Sequence, residues 1–385
     1  MADVSQSLGG WLWRKIAGAS EPAPVDDGGP PTGQQFRTYR IDPPSTLEAR
    51  RRKPRFVPSV NEAADRIEPG PRVQPSASWV YQLQKIKVEE IAVCPADVAV
   101  IDSSPDGDPV RPFTPAEVER MKTRPDGSRR VLISYMSIGE ANSGRFYWRK
   151  NWLDSKGRTT SIAPHWLYKP NTGWSGAWKV RFWEKEWQGI IFGHKDSCLD
   201  RIIDQGFDGV YLDIIDGWVY WFDDPEAKPN RPSAGQDMVT FVSRIAHHAR
   251  VTRNKPGFFV VPQNGEGLLR DPAYRAVISA IGKEDILFDQ VGQVDDNPRV
   301  KPRPETMPEG ESSVQSIIAD LNLGLNENPP VPVIAVEYLR DQPKDVPAQA
   351  PTIARMRSLR FVPHLAKRDL ANLSLPILPG DMPMA

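Results

Sequence analysis

The chain has 385 residues, 39% hydrophobic and 25% charged, with 49 basic and 49 acidic side chains and no formal net charge. That balance offers no basic face for nucleic acid or an anionic lipid surface. No apolar run approaches the roughly 20 residues of a membrane-spanning helix, and two cysteines, Cys94 and Cys198, read as free thiols rather than a disulfide framework.

Residues 1–75 read as a flexible tail. Pro, Gly and Asp dominate Glu21–Gly33, and a charged run fills Glu48–Arg55. Such a segment buries too little apolar area to offset the entropy of ordering it. Leu8, Trp11 and Ile16 form an amphipathic island within it, which we read as a docking peptide for another protein. The first residues lack the basic start and unbroken apolar stretch of a secretory signal, so a cytoplasmic or non-classically exported protein is expected.

Over residues 78–370 short apolar runs recur: Trp79–Leu83, Val98–Ile101, Val131–Met136, Gly209–Leu212, Gly257–Val261, Val277–Ile281, Val333–Val336 and Arg360–His364. Helical patterns separate most of them, at Thr114–Lys122, Leu199–Asp204, Gln236–Val251, Gln315–Leu323 and Thr352–Ser358. Asp295–Glu311 is a proline-rich loop that reads as a lid or as disorder, and residues 371–385 read as a C-terminal tail. Eight strand–helix alternations predict an α/β fold, a (β/α)8 TIM barrel behind a largely disordered, proline-rich N-terminal tail. An open doubly wound sheet is the alternative, but no glycine-rich phosphate loop follows the first run.

A parallel barrel gathers the carboxyl ends of its strands on one face. Here those ends carry Asp102, Gly139 and Glu140, Asp213 and Asp216, then Asn264 and Glu266, Glu284, Glu337 and Tyr338, and His364. The five histidines form no spaced metal motif, there is no Gly-x-Ser-x-Gly elbow, and no cysteine ends a strand. No metal or cofactor is therefore expected. Paired carboxylates remain, and glycoside hydrolysis uses them as nucleophile and general acid. The residues alone leave Glu284, Glu266 and Glu140 open as the acid, although Ile281, Ile286 and Phe288 could give Glu284 an apolar wall. A sugar-phosphate lyase would need a strand-end lysine; Lys283 is nearest, but it points away if Glu284 points inward. A saccharide-binding barrel without turnover, serving a larger assembly, is the competing reading.

Three blocks carry a family resemblance: ISYMSIGEANSGRFYW (Ile133–Trp148), PHWLYKPNTGWSGAWKVRFWEKEWQGII (Pro164–Ile191) and GFDGVYLDIIDGW (Gly206–Trp218). Together they resemble glycoside hydrolase family 114, the endo-α-1,4-polygalactosaminidase-like barrels, in the prokaryotic branch once mislabelled as tRNA-synthetase-related. The resemblance implies retaining hydrolysis of an α-1,4-linked galactosamine polymer, with Asp213 as nucleophile and Glu284 as acid/base. It also aligns Asn264 after the fifth strand, and Gly139 and Glu140 with Arg145 and Tyr147 after the third. The expected substrate contacts are Asp102, Tyr135, Glu140, Arg145, Asp216, Asn264, Glu266, Glu337 and Tyr338. Some of Trp174, Trp178, Trp183 and Trp187 are expected to floor a sugar groove, with polysaccharide as the partner.

Overall fold

The structure is a computed structural model that describes residues 70–107, 110–171, 176–291, 299–307 and 313–378. The tail up to residue 69, with its docking island, and Trp174 lie outside the described residues. Eight strands point the same way: β1 (Trp79–Gln82), β2 (Val98–Ile101), β3 (Val131–Ser137), β4 (Gly209–Asp213), β5 (Phe259–Pro262), β6 (Ile281–Glu284), β7 (Val333–Glu337) and β8 (Phe361–Leu365). Strands β1 to β5 pair in parallel in sequence order, and β6 to β8 do the same. A parallel bridge between Gln263 and Gly282 joins the two sheets. Between β8 and β1 the described residues form no ladder. There the Trp79 indole donates to the Val362 carbonyl at 3.0 Å, and the amides of Leu83 and Gln84 donate to Leu370 O. The architecture is the (β/α)8 barrel.

Alternation along each strand divides two cores. In β4, Val210 and Leu212 face the helix layer while Tyr211 enters the lumen. The lumen is packed by Trp79, Tyr81, Tyr211, Ile334, Val336 and Tyr338, and the Tyr81 and Tyr211 rings stand 5.3 Å apart. Gly282 makes room for this: a Cβ there would lie 2.0 Å from the Tyr211 hydroxyl. His364 also points inward, 5.3 Å from Trp79. Burial, aided by Arg340, pushes its imidazole down to about 3 and keeps it neutral.

Local chemistry sets the helix ends. Thr114 and Glu117 form a reciprocal capping box ahead of helix Pro115–Lys122. Helix Cys198–Gln205 stops at Gly206, whose φ of +93° suits a residue without a side chain. The sixth strand is a correction. The run Val277–Ile281 is not a strand, because Asp271 caps a helix over Pro272–Val277 and the strand begins only at Ile281. Its alanine, valine and isoleucine serve first a helix face and then a sheet, a distinction that an apolar run cannot make. His248 is buried, with Nε2 3.0 Å from the Asp200 carboxylate. Within the loop expected as a lid, Arg299–Pro302 pairs antiparallel with Phe288–Val291; residues 295–298 and 308–311 lie outside the described residues.

After β3 the chain adds a three-stranded antiparallel sheet from Glu140–Asn142, Leu167–Pro170 and Ala177–Val180. Three of the four candidate groove tryptophans, Trp178, Trp183 and Trp187, pack in or beside that sheet. Trp187 is fully buried with its indole on Ile138 O, Trp178 packs on Trp148, and Trp183 meets Trp221 edge-on. Among the described residues no helix is long and apolar enough to cross a membrane.

The packed lumen yields a stability prediction. Gly282→Ala should cost about 1–3 kcal/mol, the usual penalty for overfilling a core, read as a lower urea midpoint. An unchanged midpoint would contradict the packing described for Tyr211.

Candidate active site

Asp213 ends β4 at the barrel mouth. Its Oδ2 accepts a hydrogen bond from the Tyr135 hydroxyl at 2.6 Å and its Oδ1 one from the Ile214 amide at 2.7 Å. Ile214 has φ +58°, a left-handed conformation that costs a β-branched residue on the order of 1–3 kcal/mol. The neighbouring chain holds that turn in place. The Ile138 amide donates to Asp213 O at 3.1 Å, and a Cβ on Gly139 would sit 2.1 Å from Ile214 O. Gly139 is thus fixed by close backbone approach. Burial, and then the charge of Glu284, push the Asp213 carboxyl up to about 7.

Glu284 ends β6. Its Oε1 accepts from the Tyr338 hydroxyl and its Oε2 from Asn264 Nδ2 at 3.2 Å. Asn264 Oδ1 in turn accepts from the Glu284 amide at 3.2 Å and the Lys283 ammonium at 3.1 Å. Asn264 can do this because its own backbone is left-handed, at φ +60°. Lys283 lies on the opposite side of β6 from Glu284, and its ammonium reaches to 3.6 Å from Glu266.

Asp216 sits just past Asp213, as the residue before helix Gly217–Asp223. Burial pushes its carboxyl up to about 6; Lys283 opposes the shift, and Glu266 and Glu284 add to it. Asp213, Asp216, Glu266 and Glu284 therefore share one mouth with Tyr135, Asn264 and Tyr338. Such a cluster holds fewer charges than carboxyls near neutrality. It can donate a proton from one acid while another attacks or stabilises a cation.

Three expected contacts are engaged by partners within the protein. Asp102 is only 1% exposed, and the Arg145 guanidinium pairs with it at 2.7 Å, so it is not a free rim charge. Glu140 is buried in the added sheet. It accepts from Asn171 Nδ2 at 2.9 Å and lies 3.7 Å from Lys179, so Arg145 is not its partner. Glu337 points away from the lumen, and its Oε1 accepts from the amides of Ile286 and Leu287 at 2.8 and 2.7 Å. As the outward-facing position of β7, it braces the turn after Glu284.

The model of glycoside-hydrolase family GH114 matches residues 60–293, more than half of the chain. This chain belongs to family GH114. It is 36% identical over 216 residues to an uncharacterised protein of Thermotoga maritima, covering 56% of this chain and 61% of that one. Identity is also 36% over 218 residues to one from Methanocaldococcus jannaschii, covering 56% and 58%. The chain thus spans about three fifths of the length of these two relatives. A Deinococcus radiodurans protein is 31% identical over 300 residues, 77% of this chain and 82% of its own. Among solved structures, the glycoside hydrolase domain of PelA from Pseudomonas aeruginosa superposes with a TM-score of 0.54 at 19% identity, covering 78% of this chain and 97% of that one. Ega3 of Aspergillus fumigatus, in complex with galactosamine, gives 0.51 at 16% identity, covering 80% and 100%. At these identities the two structures speak for the barrel fold.

Several residues of this GH114 mouth escape sequence reasoning. Lys283 was discounted for its direction, yet its long stem brings the ammonium round to Asn264. Asn171 and Lys179 come from the sheet added after β3 and its connection, and Arg368 from the loop after β8; their spacing carries no signal. The paired turn residues Asn264 and Gly265 were the nearest available clue, since both favour left-handed backbone.

Glu337 yields a pH prediction. Burial, and then the charge of Asp285, push its carboxyl from 4.5 up to about 8. A carboxyl whose folded pKa is raised stabilises the fold fully below about 4.5 and loses that contribution as pH climbs through about 8. Glu337→Gln keeps an acceptor for the two amides and removes the titration. Its melting temperature should match or exceed that of the parent at pH 8, by about 3 °C for each kcal/mol recovered. A variant that tracks the parent at every pH would refute this account of Glu337.

Proposed function

We propose that this protein is a retaining glycoside hydrolase that cleaves an α-1,4-linked galactosamine-type polysaccharide, with Asp213 as nucleophile and Glu284 as general acid/base. The observation that carries the reading is the placement of two strand-end carboxyls at one barrel mouth, each held by a phenol hydroxyl. Burial and the charge of Glu284 push the Asp213 carboxyl up to about 7, and retaining hydrolysis needs the pair to hold one proton. Singly protonated, it holds both an attacking carboxylate and an acid. Glu284 gives its proton to the glycosidic oxygen as Asp213 Oδ bonds to the anomeric carbon and the leaving chain departs. Glu284 then takes a proton from water, whose oxygen displaces Asp213 from that carbon. Tyr135 and Tyr338 each hold one carboxyl through a phenol hydrogen bond. Family membership supports the reaction class, and the fold shared with Ega3, solved with galactosamine, supports the sugar. Asp216 and Glu266 add acidic side chains at the same mouth, which suits a cationic amino sugar.

The test is release of reducing ends from a galactosamine polymer. Asp213→Asn and Glu284→Gln should each lose about a thousandfold, the scale of a positioned acid or base. Glu284→Gln alone should keep cleaving aryl glycosides whose leaving group needs no proton. Activity should fall as pH drops below about 7, because the nucleophile Asp213 is then protonated. Equal activity in all three proteins would sink the assignment. Inversion of the product anomer, read by proton NMR, would replace the nucleophile with a base.

Asp216 tests the sugar separately. Asp216→Asn should raise KM for the galactosamine polymer by about tenfold, one lost ion pair at a partly buried site, and leave KM for a fully N-acetylated polymer unchanged. An equal rise for both polymers would argue against amine recognition at Asp216.

A further inference from the structure

We infer that Arg368, in the loop after β8, is the positioning residue for Glu284, acting through Tyr338 on one side and through the turn at Asp285 on the other. The inference rests on reading Asp213 and Glu284 as the reacting pair. Arg368 lies beyond the residues matched by the family model.

Arg368 is buried, and its guanidinium makes two kinds of contact. It forks onto the Asp285 carboxylate, with Nη1 donating to Oδ2 at 3.0 Å and Nη2 to Oδ1 at 2.8 Å. It also lies over the Tyr338 ring, 3.9 Å from the centroid. Asp285 directly follows Glu284, and Tyr338 donates to Glu284 Oε1. One cation therefore touches both neighbours that bracket the acid. A planar, forked cation can stack and bridge at once, whereas a lysine supplies charge without either geometry.

The turn needs such support. Asp285 has φ +52°, a conformation that persists only where the surroundings hold it. Its amide donates to Val336 O at 3.2 Å, and Arg303 donates to its carbonyl at 2.9 Å. Glu337 takes the next two amides. Arg368 holds the side chain of Asp285, and its own amide donates to Asp341 at 3.0 Å, which fixes the loop it comes from.

Arg368 also enters the charge balance at the mouth. The β4 loop presents Asp213 and Asp216, the β5 loop Glu266, and β6 Lys283 and Asp285. Tyr135 faces the pair from β3, and Tyr338 from β7. Lys283 is engaged with Asn264 and Glu266, and Arg368 is the cation that lies over the Tyr338 ring. A cation over the ring polarises the phenol and strengthens its hydrogen bond to the carboxylate. Removal of that charge should make the pair keep its proton to higher pH.

The experiment compares the full-length protein with Arg368→Gln, Arg368→Lys and Tyr338→Phe. Two readouts are taken on each: kinetics on a galactosamine polymer, and the pH titration of the pair followed by carboxyl carbon-13 NMR, with signals assigned by their loss in Asp213→Asn and Glu284→Gln. In Arg368→Gln the alkaline step of the pair should move up by about half a unit or more. In the same variant kcat should fall about tenfold, the cost of a slightly misplaced acid, while KM stays within about twofold. Arg368→Lys should restore the titration step and only part of kcat. Tyr338→Phe keeps the ring under Arg368, loses the donor, and should also move the step up; it decides the question if Arg368→Gln does not fold. An unmoved step in Arg368→Gln or in Tyr338→Phe, or equal losses in both Arg368 variants with no titration change, overturns the inference. A wild type inactive on the polymer would refute the proposed substrate, while the titrations would still decide the role of Arg368.

Discussion

Two carboxyls brought together at a partly buried mouth cannot both ionise cheaply, and most of the surrounding structure answers to that constraint. Each acid receives a phenol, Tyr135 for Asp213 and Tyr338 for Glu284, and each accepts a second donor from the backbone or from Asn264. Lys283 and Arg368 bring positive charge close without forming a direct salt bridge to either acid among the described residues. A direct bridge would hold one carboxyl permanently ionised. Cations acting at one remove, through Asn264 and through Tyr338, leave the proton mobile while limiting the repulsion.

The same economy appears in the backbone. Ile214, Asn264, Gly265 and Asp285, which follow three successive strand ends, all have positive φ. Each turns the chain sharply so that the carboxyl or amide beside it stays over the lumen. The strain is held by close packing: Gly139 against Ile214 O, Gly265 against Ile215, and Glu337 beneath the Ile286 and Leu287 amides. Rigid strands and pinned turns locate the reacting atoms more narrowly than loops alone would.

The barrel was legible because eight short apolar runs recur with helical stretches between most of them, and seven of those runs largely coincide with the strands that form, while the sixth shares only Ile281. The sixth was misplaced because Val277 completes a helix whose cap, Asp271, lies outside the apolar run. At the site, Asp213 and Glu284 could be read as strand-end acids. The partners of the other acids could not, because pairing across loops depends on tertiary approach: Asp102 meets Arg145 from 43 positions away, and Glu140 meets Asn171 from 31. Glu337 was misread for a simpler reason. Its neighbours Val336 and Tyr338 face the lumen, and alternation sends Glu337 outward. Trp178 and Trp187 look like sugar platforms in sequence and are core in space, with Trp183 packed against the same core, since a loop of that length after β3 must bury something of its own.

The seam between β8 and β1 gives the barrel a mechanical direction. Elsewhere neighbouring strands are joined by backbone bonds, a full ladder at most junctions and a single bridge between β5 and β6. Here closure depends on the Trp79 indole and on the segment past β8, where Leu370 O accepts two amides from the end of β1 and Ile377 packs on Leu339 and Leu365. That segment also carries Arg368. Local opening starts where the fewest backbone bonds must break, so thermal breathing of this fold is concentrated at the edge that steadies Glu284. Loosening the hoop at that point would detune the acid well before the rest of the barrel gave way.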